Sequence, residues 1–401
     1  MLVEIWLPYG RSEIPARIPD EHLVDILQRE NADHLSDPVG EAAKLLGSNE
    51  SFLRKARGSS RSCVVLGSCG TTQLATDLTR AVLQHLNNAQ SSTTIICTEE
   101  SPELEAESVG ANRVLRHSFK SETKECHPVE GGFTPQVNSE FVDADLRVLI
   151  GELRPHQFLG YAGLCDLIFP DLASGASTRA HLSDRTELGL GDLHSERVEV
   201  AKSFDSLFAL GLALDAESRP TALKLGGIED CLTTLKPMVD ELYSKQVSKR
   251  CEILVMSAGG APFDSTLSRA VESLPTGLSA LKKDGALIVA AECGEGHGGG
   301  QFYEWASEHK EPRHLESRLR HHFSYEGFKA SFLARVLQTH RIYLVSTIPD
   351  YYVEHVFGMR ASPTVNAALQ TAQRAHGSDS TISVIPKALR VTSKTPDTGA
   401  Q

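Results

Sequence analysis

Apolar residues in this chain come in short, nearly unbroken runs rather than in alternation with polar ones. The runs are Cys63–Leu66, Thr94–Cys97, Leu146–Ile150, Ile253–Met256, Ala286–Ala291 and Ile342–Val345, and most stop at a small or charged residue. Runs of this length without alternation belong to strands buried on both faces. Helical patterns lie between them. Leu74, Leu78, Val82 and Leu86 recur every four residues, and Leu267, Val271 and Leu274 form a second stripe. Strand, loop and helix in repetition predict an α/β fold of two Rossmann-like domains, with mostly parallel sheets and an inter-domain cleft.

A chain of 401 residues exceeds one ordinary core. The pattern falls into two blocks, an N-terminal domain over 1–245 and a C-terminal α/β domain over 250–386. A helical stretch from Ile228 to Gln246 could hinge them. The polar tail 387–401 is expected to pack back on the first domain and to fray at its end. No short-period repeat or low-complexity segment is present.

Composition removes several function classes. With a formal charge of −12 the chain is not expected to bind nucleic acid. No run of about 18 apolar residues exists, so no membrane span is expected. The opening MLVEIWLPYGRSEIP has neither a basic nor an apolar leader region, and the expected location is cytoplasmic. The eight cysteines include no C-x-x-C pair and several sit in apolar runs, which reads as buried reduced thiols. A small-molecule partner remains, with a homo-oligomer an open option.

In open α/β sheets ligands bind at the carboxyl ends of strands. Four loops there could carry chemistry. Gly67-Ser68-Cys69-Gly70-Thr71-Thr72-Gln73 follows a strand and opens a helix, where backbone N–H groups and the hydroxyls of Ser68, Thr71 and Thr72 suit an anion. A tight turn with a threonine cap fits the same residues. His156 follows the third run, and His181 lies 25 residues on, a pair suited to proton transfer or metal ligation but without a short-range metal motif. The Gly259-Gly260 loop precedes a helix presenting Arg269 and Glu272. The fourth loop gathers Glu292, Cys293, Glu295 and His297 among glycines, with no spacing rule for a metal.

In order and spacing these segments resemble the nickel-pincer lactate racemase family over nearly the whole chain. The matching pieces are Leu7-Pro8-Tyr9-Gly10, Gly151-Glu152-Leu153-Arg154-Pro155-His156, Gly160-Tyr161-Ala162-Gly163, Phe169-Pro170, Ser257-Ala258-Gly259-Gly260 with Pro262 and Asp264, and Ala291-Glu292-Cys293 with Glu295-Gly296. The resemblance implies a racemase or epimerase of 2-hydroxy acids that moves a hydride through a nickel-pincer pyridinium mononucleotide. It implies His156 as a catalytic acid/base and His181, within a one-residue shift, as the nickel ligand. It places Ser68, Thr71, Thr72, Asp166, Gly259, Gly260, Arg269 and Glu272 around the cofactor.

Several of these positions depart from the family pattern. Asp166 stands where the family attaches its cofactor to a lysine, so no covalent attachment is expected. Ser68 and Thr71 replace an Asp-x-x-Arg pair, Ser101 replaces the second catalytic histidine, and Arg269 and Glu272 replace Gln and Lys. Three functions follow as alternatives. The first is an active isomerase of hydroxy or sugar acids. The second is a diverged member without the nickel cofactor that binds or converts another such acid. The third is an unrelated nucleotide enzyme using the Ser68–Gln73 loop for phosphate, although the glycine spacing and acidic residue of a dinucleotide site are missing.

Overall fold

The apolar runs form the strands of two sheets, each in its own unit of the chain, in a computed structural model. The structure describes every residue except 87–90, 99–100, 119, 129–133, 159, 165, 178–190, 309–310, 323 and 395–401. One unit comprises Glu30–His181 and Gly189–Leu242; the other includes Met1–Arg29 and Tyr243–Gln401. The chain opens with an antiparallel hairpin, β1 (Leu2–Tyr9) and β2 (Ser12–Pro19), followed by β3 (Leu23–Ile26).

The middle unit is built on β4 (Arg61–Leu66), β5 (Ser92–Cys97) and β6 (Arg113–Arg116), a small hairpin of β7 (Thr123–Glu125) and β8 (Gln136–Asn138), then β9 (Leu146–His156), β10 (Gly160–Gly163), β11 (Leu207–Leu214) and β12 (Pro220–Gly226). The sheet order is β12-β11-β9-β4-β5-β6, parallel except at the β12 edge. Successive residues of β4 serve opposite cores. Val64 and Leu66 pack with the helix Thr72–Leu86 and with Phe52, whereas Cys63 and Val65 pack with Phe141, Leu167 and Val200. Each such Val or Leu, fully buried, contributes roughly 1.5–3 kcal/mol, so a strand loaded on both sides cannot slip its register. The predicted stripe is present: Leu78, Val82 and Leu86 are fully buried and Leu74 partly so.

The other unit adds β13 (Ser244–Gln246), β14 (Cys251–Ser257), β15 (Leu281–Ala290), β16 (Arg341–Val345), β17 (Arg360–Ala361), β18 (Ile382–Ile385) and β19 (Thr392–Lys394). Its sheet runs β17-β16-β15-β14-β18-β3, all parallel. β3 therefore supplies an edge strand, and Leu7, Ala16 and Ile18 of the opening hairpin join Ile253, Val255, Ile288 and Val384 in one core. This corrects the expected domain boundary at residue 1: the first 29 residues belong with the C-terminal half, because their apolar face has its partners there. The tail is corrected likewise. β19 pairs with β13, and the Ser393 hydroxyl donates to the Thr276 carbonyl at 2.7 Å. The single stripe Leu267–Leu274 becomes two short helices, Leu267–Val271 and Leu274–Ala280, the second starting with Pro275 in its first turn. Among the described residues no helix is long and apolar enough to cross a membrane.

Three parallel strands of this second sheet are tied together by Glu252. Its carboxylate accepts from the Lys282 ammonium on β15 and from the backbone N–H (2.8 Å) and hydroxyl of Thr381. Burial by itself would raise the pKa of Glu252, but these donors outweigh it and hold the group at about 2. A depressed carboxylate stabilises the fold above its unfolded value, and that stabilisation is lost as pH falls from about 4.5 toward 2. Glu252→Gln is expected to cost about 1–2 kcal/mol at pH 7, allowing for partial solvent screening. Urea melts should show the gap between variant and parent closing as pH falls through that window; a pH-independent gap would contradict the assignment.

Candidate functional site

In the middle unit the chain runs from β4 outward to β5 and β6 on one side, and from β9 to β11 and β12 on the other. The order reverses between β4 and β9, and the crevice outside such a reversal is where open α/β sheets take ligands. Two sequence-predicted segments flank it: the Ser68–Thr72 loop after β4, and His156 at the end of β9.

The β4 loop is stitched to β9. Gly67 N–H donates to the Ile150 carbonyl at 2.9 Å, and the Ser68 carbonyl accepts from Glu152 N–H at 2.8 Å. A side chain on Gly70, whose φ is +84°, would lie 2.6 Å from the Ser218 carbonyl, so only glycine fits there. Thr71 caps the fifteen-residue helix Thr72–Leu86, its hydroxyl accepting from Leu74 N–H at 3.2 Å. The Thr71 and Thr72 side chains are exposed and Ser68 is half-buried. Cap and helix N-terminus thus coexist in one segment. Cys69 is buried, and burial followed by the nearby Glu152 carboxylate pushes its thiol pKa well up, so it is no nucleophile.

β9 continues past the sheet. Its pairing with β4 ends at Ile150 and with β11 at Glu152, after which residues 153–156 pair only with β10, folded back antiparallel. Glu152, Arg154 and His156 alternate onto one face of this projecting ribbon. Opposite Arg154 stands Ala162 and opposite His156 stands Gly160, so β10 places nothing bulky beside either. Arg154 Nε lies 3.6 Å from a Glu152 carboxylate oxygen, and both side chains are nearly sealed from solvent. The half-buried imidazole of His156 accepts from Phe158 N–H through Nδ1 at 3.2 Å. The neutral ring then carries its proton on Nε2, the tautomer a proton carrier uses when Nδ1 is held.

Two of the remaining positions, Ser101 and Asp166, are engaged in structural contacts. Ser101 closes a turn, its hydroxyl donating to the Thr98 carbonyl at 2.8 Å, and Arg116 clamps the same turn through the Thr98 and Ser101 carbonyls. Asp166 forms an ion pair with the buried Arg197 and accepts from Gly163 N–H at 3.2 Å. A carboxylate so held offers no amine for attachment, so the described residues do not fit a covalently bound pincer cofactor. His181 and Cys165 lie outside the described residues. Among the described residues no group of three or more His, Cys, Asp and Glu is arranged to hold a metal, which includes Glu292, Cys293, Glu295 and His297.

In the other unit the Gly259-Gly260 loop faces the turn of the opening hairpin. Ala261 N–H donates to the Gly10 carbonyl at 2.8 Å, the Ser257 hydroxyl donates to the Pro8 carbonyl at 2.5 Å, and a side chain on Gly260 would meet Pro8 and Gly10 at 3.0 Å. Asp264, fully buried, accepts from Gly10 N–H at 2.7 Å and from Glu292 N–H at 3.1 Å through one oxygen. Burial first, then Cys293, Glu292 and Asp264, raise Tyr9 to about 12 and keep it a neutral phenol. Arg269 reaches the Pro262 carbonyl at 3.4 Å. Glu272 is met by Lys329 at 3.3 Å, and Lys329 also binds Glu326 at 2.5 Å. Arg197 and Lys329 were missed in the sequence. Arg197 lies far in sequence from Asp166, and Lys329 far from Glu272, so no local spacing announces either of these two pairs.

Asp264 thus holds two loops to one turn through two backbone donors. Asp264→Ala would leave both N–H groups buried and unpaired, a loss of about 3 kcal/mol. Chemical denaturation of the two proteins checks this; a loss under 1 kcal/mol would show that the donors find other partners.

The family profile of the lactate racemase N-terminal domain matches residues 9–184, and that of the lactate racemase C-terminal domain matches residues 246–392. The chain is 26% identical to the lactate racemase of Thermoanaerobacterium thermosaccharolyticum over 97% of its own length and 99% of that protein. It is 25% identical to the lactate racemase of Lactiplantibacillus plantarum over 64% of its length and 63% of that protein. The solved lactate racemase apoprotein from T. thermosaccharolyticum shares the fold, with a TM-score of 0.82 at 23% identity over 98% of this chain and 100% of that one. A Thermotoga maritima protein is similar at a TM-score of 0.62 and 14% identity, covering 92% of this chain and 100% of that one. Both domains of one family, matched in order over most of the sequence, make this chain a member of the lactate racemase family.

Proposed function

We propose that the chain is an isomerase that inverts a stereocentre of a small 2-hydroxy acid or sugar acid, with His156 exchanging the proton of the reacting hydroxyl. The observation that carries this reading is the placement of His156. It ends the strand beside the β4/β9 reversal, its tautomer is fixed by the Phe158 N–H, and its cross-strand neighbour is a glycine. Membership of a family whose named relatives are lactate racemases supports the reaction class.

An imidazole near neutral pKa suits proton exchange with a hydroxyl. The N-terminus of the helix Thr72–Leu86, with Ser68 and Thr71 beside it, supplies hydrogen-bond donors and positive dipole for the acid group. The carbon–hydrogen bond of a hydroxy acid is a poor acid, so its cleavage calls for a hydride acceptor beyond the chain's own side chains. A nickel-pincer nucleotide bonded to residue 166 does not fit the Asp166–Arg197 pair.

Turnover is expected as loss of optical activity, or as exchange between epimers, with a panel of 2-hydroxy and sugar acids. The protein is to be made with and without the cofactor-synthesis enzymes, with its nickel content measured. His156→Ala should lower kcat at least about 100-fold while the melting temperature is unchanged. Unaltered turnover in that variant would remove His156 from the reaction. A parent protein inert to the whole panel in both preparations would reject the isomerase reading and leave a binding protein.

A further inference from the structure

We propose that Arg197 and Asp166 form a non-covalent clasp that positions the hairpin carrying His156, making both positioning residues for the site. The inference rests on the role given to His156 above and adds what holds that residue in place.

The β9–β10 ribbon projects beyond the sheet, so the sheet ladder does not fix its tip. Side-chain anchors reach it, two of them among the described residues through carboxylates. One is the Tyr161 hydroxyl, bonded to the Asp240 carboxylate on the helix Ile228–Tyr243. The other lies where β10 ends. One oxygen of Asp166 meets the Arg197 guanidinium and the other accepts from Gly163 N–H at 3.2 Å. Gly163 pairs with Leu153, and the next residue, Leu164, donates to the Glu152 carbonyl at 2.8 Å. The strand bearing Glu152, Arg154 and His156 is therefore bonded directly to the segment that Asp166 closes.

Arg197 is itself buried. It is 3% exposed and lies on the helix Gly191–Lys202 one turn before Val200 and Ala201, which pack with Leu164, Leu167 and Ile168. A buried guanidinium without a carboxylate is strongly unfavourable, and a carboxylate held from two sides is fixed in direction. Arg197 and Asp166 thus each hold the other's charge in place. A lysine at 166 would set a second cation against Arg197 in a site with little water. Position 166 is consequently committed to holding the hairpin, and any cofactor used here is held without a bond to it.

The test reads the state of the His156 ring rather than turnover, so it can fail while the isomerase reading stands, and the reverse. Long-range nitrogen–proton NMR of ¹⁵N-histidine protein should show a single Nε2–H tautomer for His156. Asp166→Asn and Arg197→Gln should each give a mixture of tautomers and lower the melting temperature on the order of 10 °C. The charge-reversed double variant, Asp166→Arg with Arg197→Asp, should recover the single tautomer and at least half of the lost melting temperature. Asp166→Glu keeps the charge and should keep the tautomer even where the neutral variants fold poorly. Intact mass of the parent made beside the cofactor-synthesis enzymes should equal that of the bare chain. The proposal is overturned by an unchanged tautomer in both single variants, by a mixed tautomer in Asp166→Glu, by no recovery in the reversed pair, or by a covalent adduct on the parent.

Discussion

The pairing of β9 with β4, and the continuation of β9 beyond it, is the constraint on which the middle unit depends. Parallel hydrogen bonds run from Ser62 and Leu146 to Leu66 and Ile150, and the bonds of Gly67 and Ser68 carry the stitching onto the loop. The strand is buried on both faces, so its register is fixed by side chains on two sides at once. Everything past Glu152 leaves that ladder. Arg154 and His156 stand on the part of the strand that the sheet does not hold, at the point where strand order reverses.

A projecting ribbon with Ala162 and Gly160 opposite Arg154 and His156 has little rigidity of its own. Buried charge supplies that rigidity. Glu152 with Arg154, and Asp166 with Arg197, each place a carboxylate and a guanidinium where neither could stand alone. Such pairs add little net stability compared with apolar residues of similar size. They fix direction instead, because a buried charge is costly to turn away from its counter-charge. Rigidity at this end of the strand is thus electrostatic.

The other unit solves a different problem with its opening hairpin. One face of its parallel sheet is covered partly by the helix Val365–His376 and partly by β1 and β2. The turn of that hairpin is seated against the Gly259-Gly260 loop by Asp264, Ser257 and Ala261. Gly260 there serves close backbone approach, and Gly259 a backbone angle of φ +128° that other residues rarely adopt. Close backbone approach at a glycine thus occurs in both units, at Gly70 and at Gly260.

The sequence by itself determined the two parallel sheets, the helix over Leu74–Leu86, the family, and His156 at a strand end. These rest on local periodicity and on motifs a few residues long, and such signals survive reading one segment at a time. Tertiary structure decided the rest. It moved Met1–Arg29 to the C-terminal unit and turned the tail toward β13, since an apolar or polar edge in the sequence does not say which partner buries it. It also gave Asp166 to Arg197 and Glu272 to Lys329. Those pairings join residues 31 and 57 positions apart, and an ion pair depends on distance in space, which spacing along the chain does not encode.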